Sequence, residues 1–415
     1  MSSLVMFSKG ADAMHELRDL EADRGPREVP HGAVDPRDFD IVSIEAFPIS
    51  VRLNDGSTLA IGRAIKRDAV VVKVTTRCGV IGYGEAHHGR AADVVAHVVN
   101  TTIRDIVGPA CALDVVAIWD KIYAWQLRSH GLGAATVIAM SGLDMALWDI
   151  RAKAVGWPLY RLLGGSGVDV DAYAGGVALG WQAPQDLVEE AEPLVAAGYK
   201  AVKLRVGESA AKDIARVRAV REQFGDDLTI MVDANTGYST EDVRTVAPVF
   251  EDLGVAWLEE PFPANDYRSY RTAARHTRIP LAAGENHYTR FEFVRLIEDG
   301  SVAMLQPDVA KAGGITETMR IASLASAWKL QISPHSSVTG LSQAATVHLL
   351  MSVDNGRYFE ADVTPSNPFR EELTSSPYAI SPGGTVRMSD RPGLGVEVDE
   401  SFIAAHPYIE GPNFV

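Results

Sequence analysis

Four short segments decide the fold: Val202-Lys203-Leu204-Arg205-Val206, Val232-Asp233-Ala234-Asn235, Leu258-Glu259-Glu260-Pro261 and Gly284-Glu285-Asn286. Each ends an apolar, mostly β-branched run on charged residues, and each is followed by an amphipathic helical stretch. Runs of the same kind end near Gly175 upstream, and near Asp308, His335 and Glu360 downstream. Successive ends lie 30, 28, 26, 26, 23, 27 and 25 residues apart, the length of one strand plus one helix. Eight such units, most of their strands continuously apolar, point to the α/β class and a closed (β/α)₈ barrel rather than an open sheet.

The flanks read differently. Residues 1–38 form an arm in which nine acids face four arginines between Asp12 and Asp40. A short helix fits 11–22, followed by an irregular strap or subunit-contact segment. Residues 39–160 read as an α+β capping domain that opens with strands at 41–47 and 69–74. The turn Asn54-Asp55-Gly56-Ser57 lies between those strands. The barrel is expected over 161–390, with 391–415 returning to the cap.

Composition removes several functions. A net charge of −15 repels a nucleic-acid backbone. Cys78 and Cys111 are too few for a disulfide framework or a thiolate metal site. No apolar run approaches the roughly 20 residues of a membrane span. Leu4-Val5-Met6-Phe7 is too short for a secretion signal. A cytoplasmic protein with a small-molecule partner is expected, neither membrane nor nucleic acid being involved.

In such a barrel, chemistry sits at the C-terminal ends of the strands. Asp233, Glu259 and Glu285 come from three successive units, an oxygen-only set that suits Mg²⁺ with positions left for substrate. Taken singly, each acid is as easily a helix cap or an ion-pair partner. Lys203 and Arg205, two apart on one strand, point into the same space. They either balance charge or face an anionic substrate. Asp308 and His335 lie on adjacent strands, where the carboxylate can fix the imidazole tautomer and raise its basicity. Glu360 is expected to stay protonated among so many acids and to donate to developing charge.

These residues, with Ala139 to Ile150, Lys153-Ala154, Leu162 to Gly165 and Pro392-Gly393-Leu394-Gly395, resemble the enolase superfamily. The closest subgroup is that of mandelate racemase and the acid-sugar dehydratases. The resemblance spans about residues 40 to 410. It implies a modified barrel under an N-terminal α+β cap, Mg²⁺ on Asp233, Glu259 and Glu285, and a catalytic His335–Asp308 dyad. It further implies an electrophilic Glu360, proton abstraction α to a carboxylate, and assembly as a dimer up to an octamer.

One position departs from that pattern. Racemases of the subgroup use the second lysine of a Lys-x-Lys pair as a second base, and here that position is Arg205, which keeps its proton. A dehydratase needs only one base. The expected reaction is therefore Mg²⁺-dependent dehydration of an aldonate or aldarate to a 2-keto-3-deoxy acid. A racemase or epimerase using Lys203 is the runner-up, and a non-catalytic barrel the more distant one. A phosphate-binding barrel is disfavoured because the seventh and eighth strand ends lack a glycine-rich loop. Substrate contacts are expected from Asn235 and Gly175 on the barrel, and from Asn54, His87 and His88 on the cap.

Overall fold

The cap is built on three antiparallel strands, β1 (Ile41–Arg52), β2 (Lys66–Thr76) and β3 (Ile81–Ala86), with β2 in the middle. The computed structural model describes residues 35–54, 56–131, 133–336 and 338–415. The expected helix at 11–22, the arm to residue 34, and Asp55 lie outside these. The chain divides into Met1–Asp35 and Pro36–Val415, and everything below concerns the second unit.

Valines at 70, 71, 72 and 74 bury both faces of β2. One face meets helices α1 (Ala92–Val98), α2 (Val115–Ile122) and the long α3 (Ala134–Ala154). Helix α3 lies so close to β3 that a β-carbon on Gly142 would stand 2.7 Å from Ala86 N. Only glycine fits there. Asp149 of α3 then ties two distant segments together, accepting from Tyr83 N at 3.1 Å and Leu394 N at 2.8 Å. The C-terminal segment runs back along the cap, with bridges Ile49 to Pro407 and Ala64 to Phe414.

The barrel strands are β4 (Val170–Gly175), β5 (Ala201–Arg205), β6 (Thr229–Asp233), β7 (Val255–Glu259), β8 (Leu281–Ala283), β9 (Met304–Leu305), β10 (Gln331–Ile332) and β11 (Phe359–Asp362). Neighbours pair in parallel in the order β10-β9-β8-β7-β6-β5-β4-β11. An Ile332–Gly356 bridge joins β10 to the segment leading into β11 and closes the ring. Helices alternate with the strands: α4 (Pro184–Ala196), α5 (Ala210–Phe224), α6 (Thr240–Asp252), α7 (Tyr267–Ala274), α8 (Thr289–Asp299), α9 (Gly314–Ala327) and α10 (Gly340–Leu350). The eighth is reduced to one turn, α11 (Pro368–Glu371). The barrel is therefore modified at its last unit.

The period of two along each strand organises the interior. Val202, Leu204, Ile230, Val232 and Leu258 face outward into the main core. Tyr173, Ala201, Met231, Trp257, Ala282 and Met304 form an apolar floor inside. Two residues further along the same strands stand Lys203, Asp233 and Glu259. The floor thus places a charged layer directly above itself. Among the described residues no helix is long and apolar enough to cross a membrane.

Candidate active site

Register brings the charged layer together, pairing Arg205 with Asp233 and Asp233 with Glu259 across adjacent strands. Lys203 is fully buried, its Nζ 2.8 Å from Glu259 Oε1, 2.9 Å from Glu360 Oε1 and 3.7 Å from Asp233 Oδ2. Burial works against its charge, but Glu259 and Glu360 outweigh that and hold the proton on. Arg205 Nη1 donates to Asp233 and, at 3.3 Å, to Asn235 Oδ1, while Nη2 donates to Gly176 O. Asn235 returns its backbone N–H to Asp233 Oδ1 at 2.7 Å.

The dyad forms as expected from adjacent strands: His335 Nδ1 lies 2.6 Å from Asp308 Oδ2. Its other nitrogen, Nε2, lies 2.9 Å from Glu285 Oε2. Burial disfavours the imidazolium, yet Glu285, Glu360 and Asp308 together raise the His335 pKa well above its ordinary value. Ala310 N donates to Asp308 Oδ1 at 2.7 Å and orients the carboxylate.

One expectation needs correction here. Glu360 is not a protonated donor: burial would raise its pKa, but Lys203, His335 and Arg205 bring it down to about 2. It accepts instead, from Gly176 N at 3.1 Å and Ser336 N at 3.3 Å. Asp233, Glu259 and Glu285 stand on successive units as expected for ligands, although among the described residues no three acids, histidines or cysteines are gathered for a metal. Each is turned toward a cation, Asp233 to Arg205, Glu259 to Lys203 and Glu285 to His335.

The charge balance nevertheless fits a divalent cation. Asp233, Glu259, Glu260, Asp308 and Glu360 are buried, and Glu285 is half-buried beside them. Against these six stand Lys203, Arg205 and Lys311, with His335 as a fourth when protonated. With all six ionised, the surplus is two to three negative charges. Burial, reinforced by neighbouring carboxylates, lifts Glu259 to about 7 despite Lys203, and raises Glu260 well above the carboxylate range. Oxygen donors with excess negative charge are what Mg²⁺ requires.

Above this layer lies a cavity of about 450 Å³. Its floor includes Gly176, Arg205, Asn235, Glu285 and His335, and its roof comes from the cap, including Lys66, Arg67, His87 and His88. His87 and His88 stack at 4.1 Å. Asn54 is exposed and does not reach the cavity; Leu59 and Ile61 do, from a small hairpin pairing Thr58–Leu59 with Gly62–Arg63. Gly175 does not line the cavity either. Its missing side chain makes room for Glu360, because a β-carbon there would lie 2.7 Å from Glu360 Oε1.

Sequence reasoning missed Lys66, Arg67, Glu260, Asn286, Lys311 and Phe414, all of which line the cavity. Glu260 was adjacent to a chosen acid, and Lys311 stands one turn after Asp308. Arg67 carries no local signal, since its partner Asp362 lies 295 residues away, and Lys66 pairs locally with Asp68.

Comparison with known proteins agrees with this architecture. Residues 186–402 match the model of the enolase C-terminal domain-like family. Residues 43–164 match that of the mandelate racemase / muconate lactonizing enzyme N-terminal domain. An arabinonate dehydratase from Saccharolobus solfataricus is 33% identical over 80% of this chain and 88% of its own. A 3,6-anhydro-alpha-L-galactonate cycloisomerase from Streptomyces coelicolor is 32% identical over 85% and 94%. Among solved structures, a member of the enolase superfamily from Polaromonas sp. JS666 is 49% identical, covering 91% of this chain and all of its own at a TM-score of 0.88. A racemase from Streptomyces coelicolor A3(2) with bound magnesium is 30% identical over 88% and 99%, at a TM-score of 0.80. With both domains matched and the strand-end acids in register, the chain belongs to the enolase superfamily, within its mandelate racemase and muconate lactonizing enzyme branch.

Proposed function

We propose that the protein is an acid-sugar dehydratase, a hydro-lyase acting on a 2,3-dihydroxy carboxylate. The observation that carries this reading is the state of Lys203: fully buried, clamped by two carboxylates at 2.8 and 2.9 Å, and held protonated. A lysine so held is no base, and Arg205 is none either. One base remains, His335. Elimination needs one base, whereas racemisation by the family's route needs a second on the opposite face.

The residues divide the work as follows. Asp308 holds Nδ1–H of His335 and leaves Nε2 facing the cavity. Nε2 takes the C2 proton once its pairing with Glu285 is released, since an imidazolium accepts no proton. Lys203 and Arg205 stabilise the negative charge that moves onto the substrate carboxylate. Glu360, ionised, keeps Lys203 in position rather than donating. The C3–OH bond then breaks, the proton on His335 leaves with the hydroxide as water, and the enol tautomerises to a 2-keto-3-deoxy acid. Asp233, Glu259 and Glu285 are the residues to hold Mg²⁺, which supplies charge compensation at the carboxylate when bound. The Streptomyces coelicolor neighbour with bound magnesium supports the choice of metal.

A panel of mono- and diacid sugars with Mg²⁺, scored with semicarbazide for keto acid, tests the reading. C2 hydrogen exchange with D₂O by a His335→Asn variant sinks the single-base version. The same neighbour's description as a racemase favours the alternative of epimerisation, which polarimetry on single enantiomers of α-hydroxy acids detects. A cytoplasmic location and assembly into two to eight copies belong to the proposal through family resemblance. Fractionation and sedimentation velocity test them.

A further inference from the structure

The dehydratase reading leaves the roof of the cavity without a role. Arg67 reaches from β2 to Asp362 at the end of β11, 2.5 Å away. Its side chain is 6% exposed, and its second terminal nitrogen, Nη1, is buried with no hydrogen-bond partner. An unsatisfied buried donor of this kind is costly, and native structures leave few of them. Arg67 lines the cavity.

Further cations converge on the same place. Lys311 rises from the loop after β9 and donates only to the neutral Asn286 Oδ1, at 3.0 Å. Arg90 stands exposed at the rim, its guanidinium 5.1 Å from the Phe414 ring. Neither has a carboxylate within ion-pair distance among the described residues. Lys66 is already paired with Asp68 at 3.0 Å. All four surround His88, which burial and these charges keep neutral, down to about 3. Its Nδ1 accepts from Arg90 N at 2.9 Å, so Nε2 carries the hydrogen and is a donor.

Topology places Arg67 across the mouth from the strand-end acids, while Lys311, on the unit after Glu285 and bonded to Asn286, stands on the arc between them. In an eight-stranded ring β11 stands opposite β7, so Arg67 above Asp362 faces the Asp233–Glu259–Glu285 side. A ligand whose one end lies among those acids extends its other end toward Arg67. We propose that Arg67, Lys311, Arg90 and His88 form a subsite for a second carboxylate, so that the substrate is a dicarboxylic sugar acid. Arg67 offers a single open nitrogen, which suits one carboxylate oxygen. The reaction still rests on the dehydratase reading, but the subsite does not.

Binding and turnover separate the two. With full-length protein and Mg²⁺, calorimetry compares adipate with hexanoate, neither of which can lose water. Adipate is expected to bind at least tenfold more tightly, with the ratio falling severalfold in Arg90→Gln and in Lys311→Met. Arg90 is exposed, so its replacement does not threaten the fold. Equal binding of the two acids, or a ratio unmoved in both variants, overturns the subsite. A six-carbon aldarate is likewise expected to exceed the matching aldonate at least tenfold in kcat/KM for keto-acid formation. An adipate preference without keto acid from either sugar upholds the subsite and overturns the dehydratase. Keto acid from the aldonate with no adipate preference does the reverse. Tighter binding of a terminally phosphorylated aldonate than of the aldarate overturns the carboxylate assignment.

Discussion

Replacing Gly175 by alanine puts a methyl group where the site has no room for it. The new carbon lies 2.7 Å from Glu360 Oε1, 2.9 Å from Tyr173 Cε2 and 3.0 Å from Glu360 Cγ. Tyr173 is fully buried between Trp257 and Tyr358 and has nowhere to go. The Glu360 carboxylate therefore retreats by about 0.5 Å to regain an ordinary contact. Its hold on Lys203 Nζ, now 2.9 Å, and on Gly176 N, now 3.1 Å, loosens accordingly. If about 1 Å of misplacement costs about 100-fold, half of that costs roughly tenfold in kcat, or about 1.4 kcal/mol of barrel-mouth alignment. Overpacking also lowers stability by about 1–3 kcal/mol, a Tm change of only about 1–4 °C in a chain this long. The assay is kcat for keto-acid release beside a thermal melt. Gly133→Ala serves as control, because a β-carbon there meets nothing within 4 Å. An alanine at 175 with wild-type kcat refutes the reasoning, for it shows that Glu360 placement does not govern the charged layer.

Removing divalent cations with a chelator is expected to abolish turnover and lower Tm, and Mg²⁺ to restore both; a melt unchanged by chelation contradicts the charge surplus argued above. Lys203→Met leaves Glu259 and Glu360 buried without their shared cation, so a loss of about 3–5 kcal/mol is expected in denaturant titration. His348 accepts from Tyr160 N at 3.1 Å and meets Leu394 O at 3.2 Å, and burial lowers its pKa from 6.5 to about 4. The unfolded chain takes up that proton first, so stability is full above about 6.5 and falls toward pH 4, by roughly 3 kcal/mol in all. His348→Gln is expected to flatten this slope in urea titrations across that range.

Much of the barrel was readable because, after the first, the runs close on or shortly before a titratable residue at 23 to 28 residue intervals. The ends at Arg205, Asp233 and Glu259 coincide with the structure. Strand β8 stops at Ala283, because Gly284 turns with φ of +152° before Glu285. What local pattern does not carry is long-range partnership. Arg67 finds Asp362 at a separation of 295 residues, and no periodicity encodes that. The ionisation of Glu360 depends on Lys203 arriving at 2.9 Å through ring closure, a contact between the second and last strands. Asn54 does not reach the cavity, and the described reversal in this segment is at Ala60-Ile61, in the hairpin that does. Turn chemistry sets where a chain reverses, not which residues beyond it dock on the barrel.

The bridges from Ile49 to Pro407 and from Ala64 to Phe414 make the barrel, in topological terms, an insertion within the cap. During synthesis the first three strands emerge early, yet their partner segment follows only after every barrel strand has been made. A nascent chain halted near residue 390 has every barrel strand and the cap's Lys66, Arg67, His87 and His88, but not Asn413 and Phe414, which also line the cavity. The cavity's lining is thus completed by a segment made after the last barrel strand, and not by closure of the ring alone.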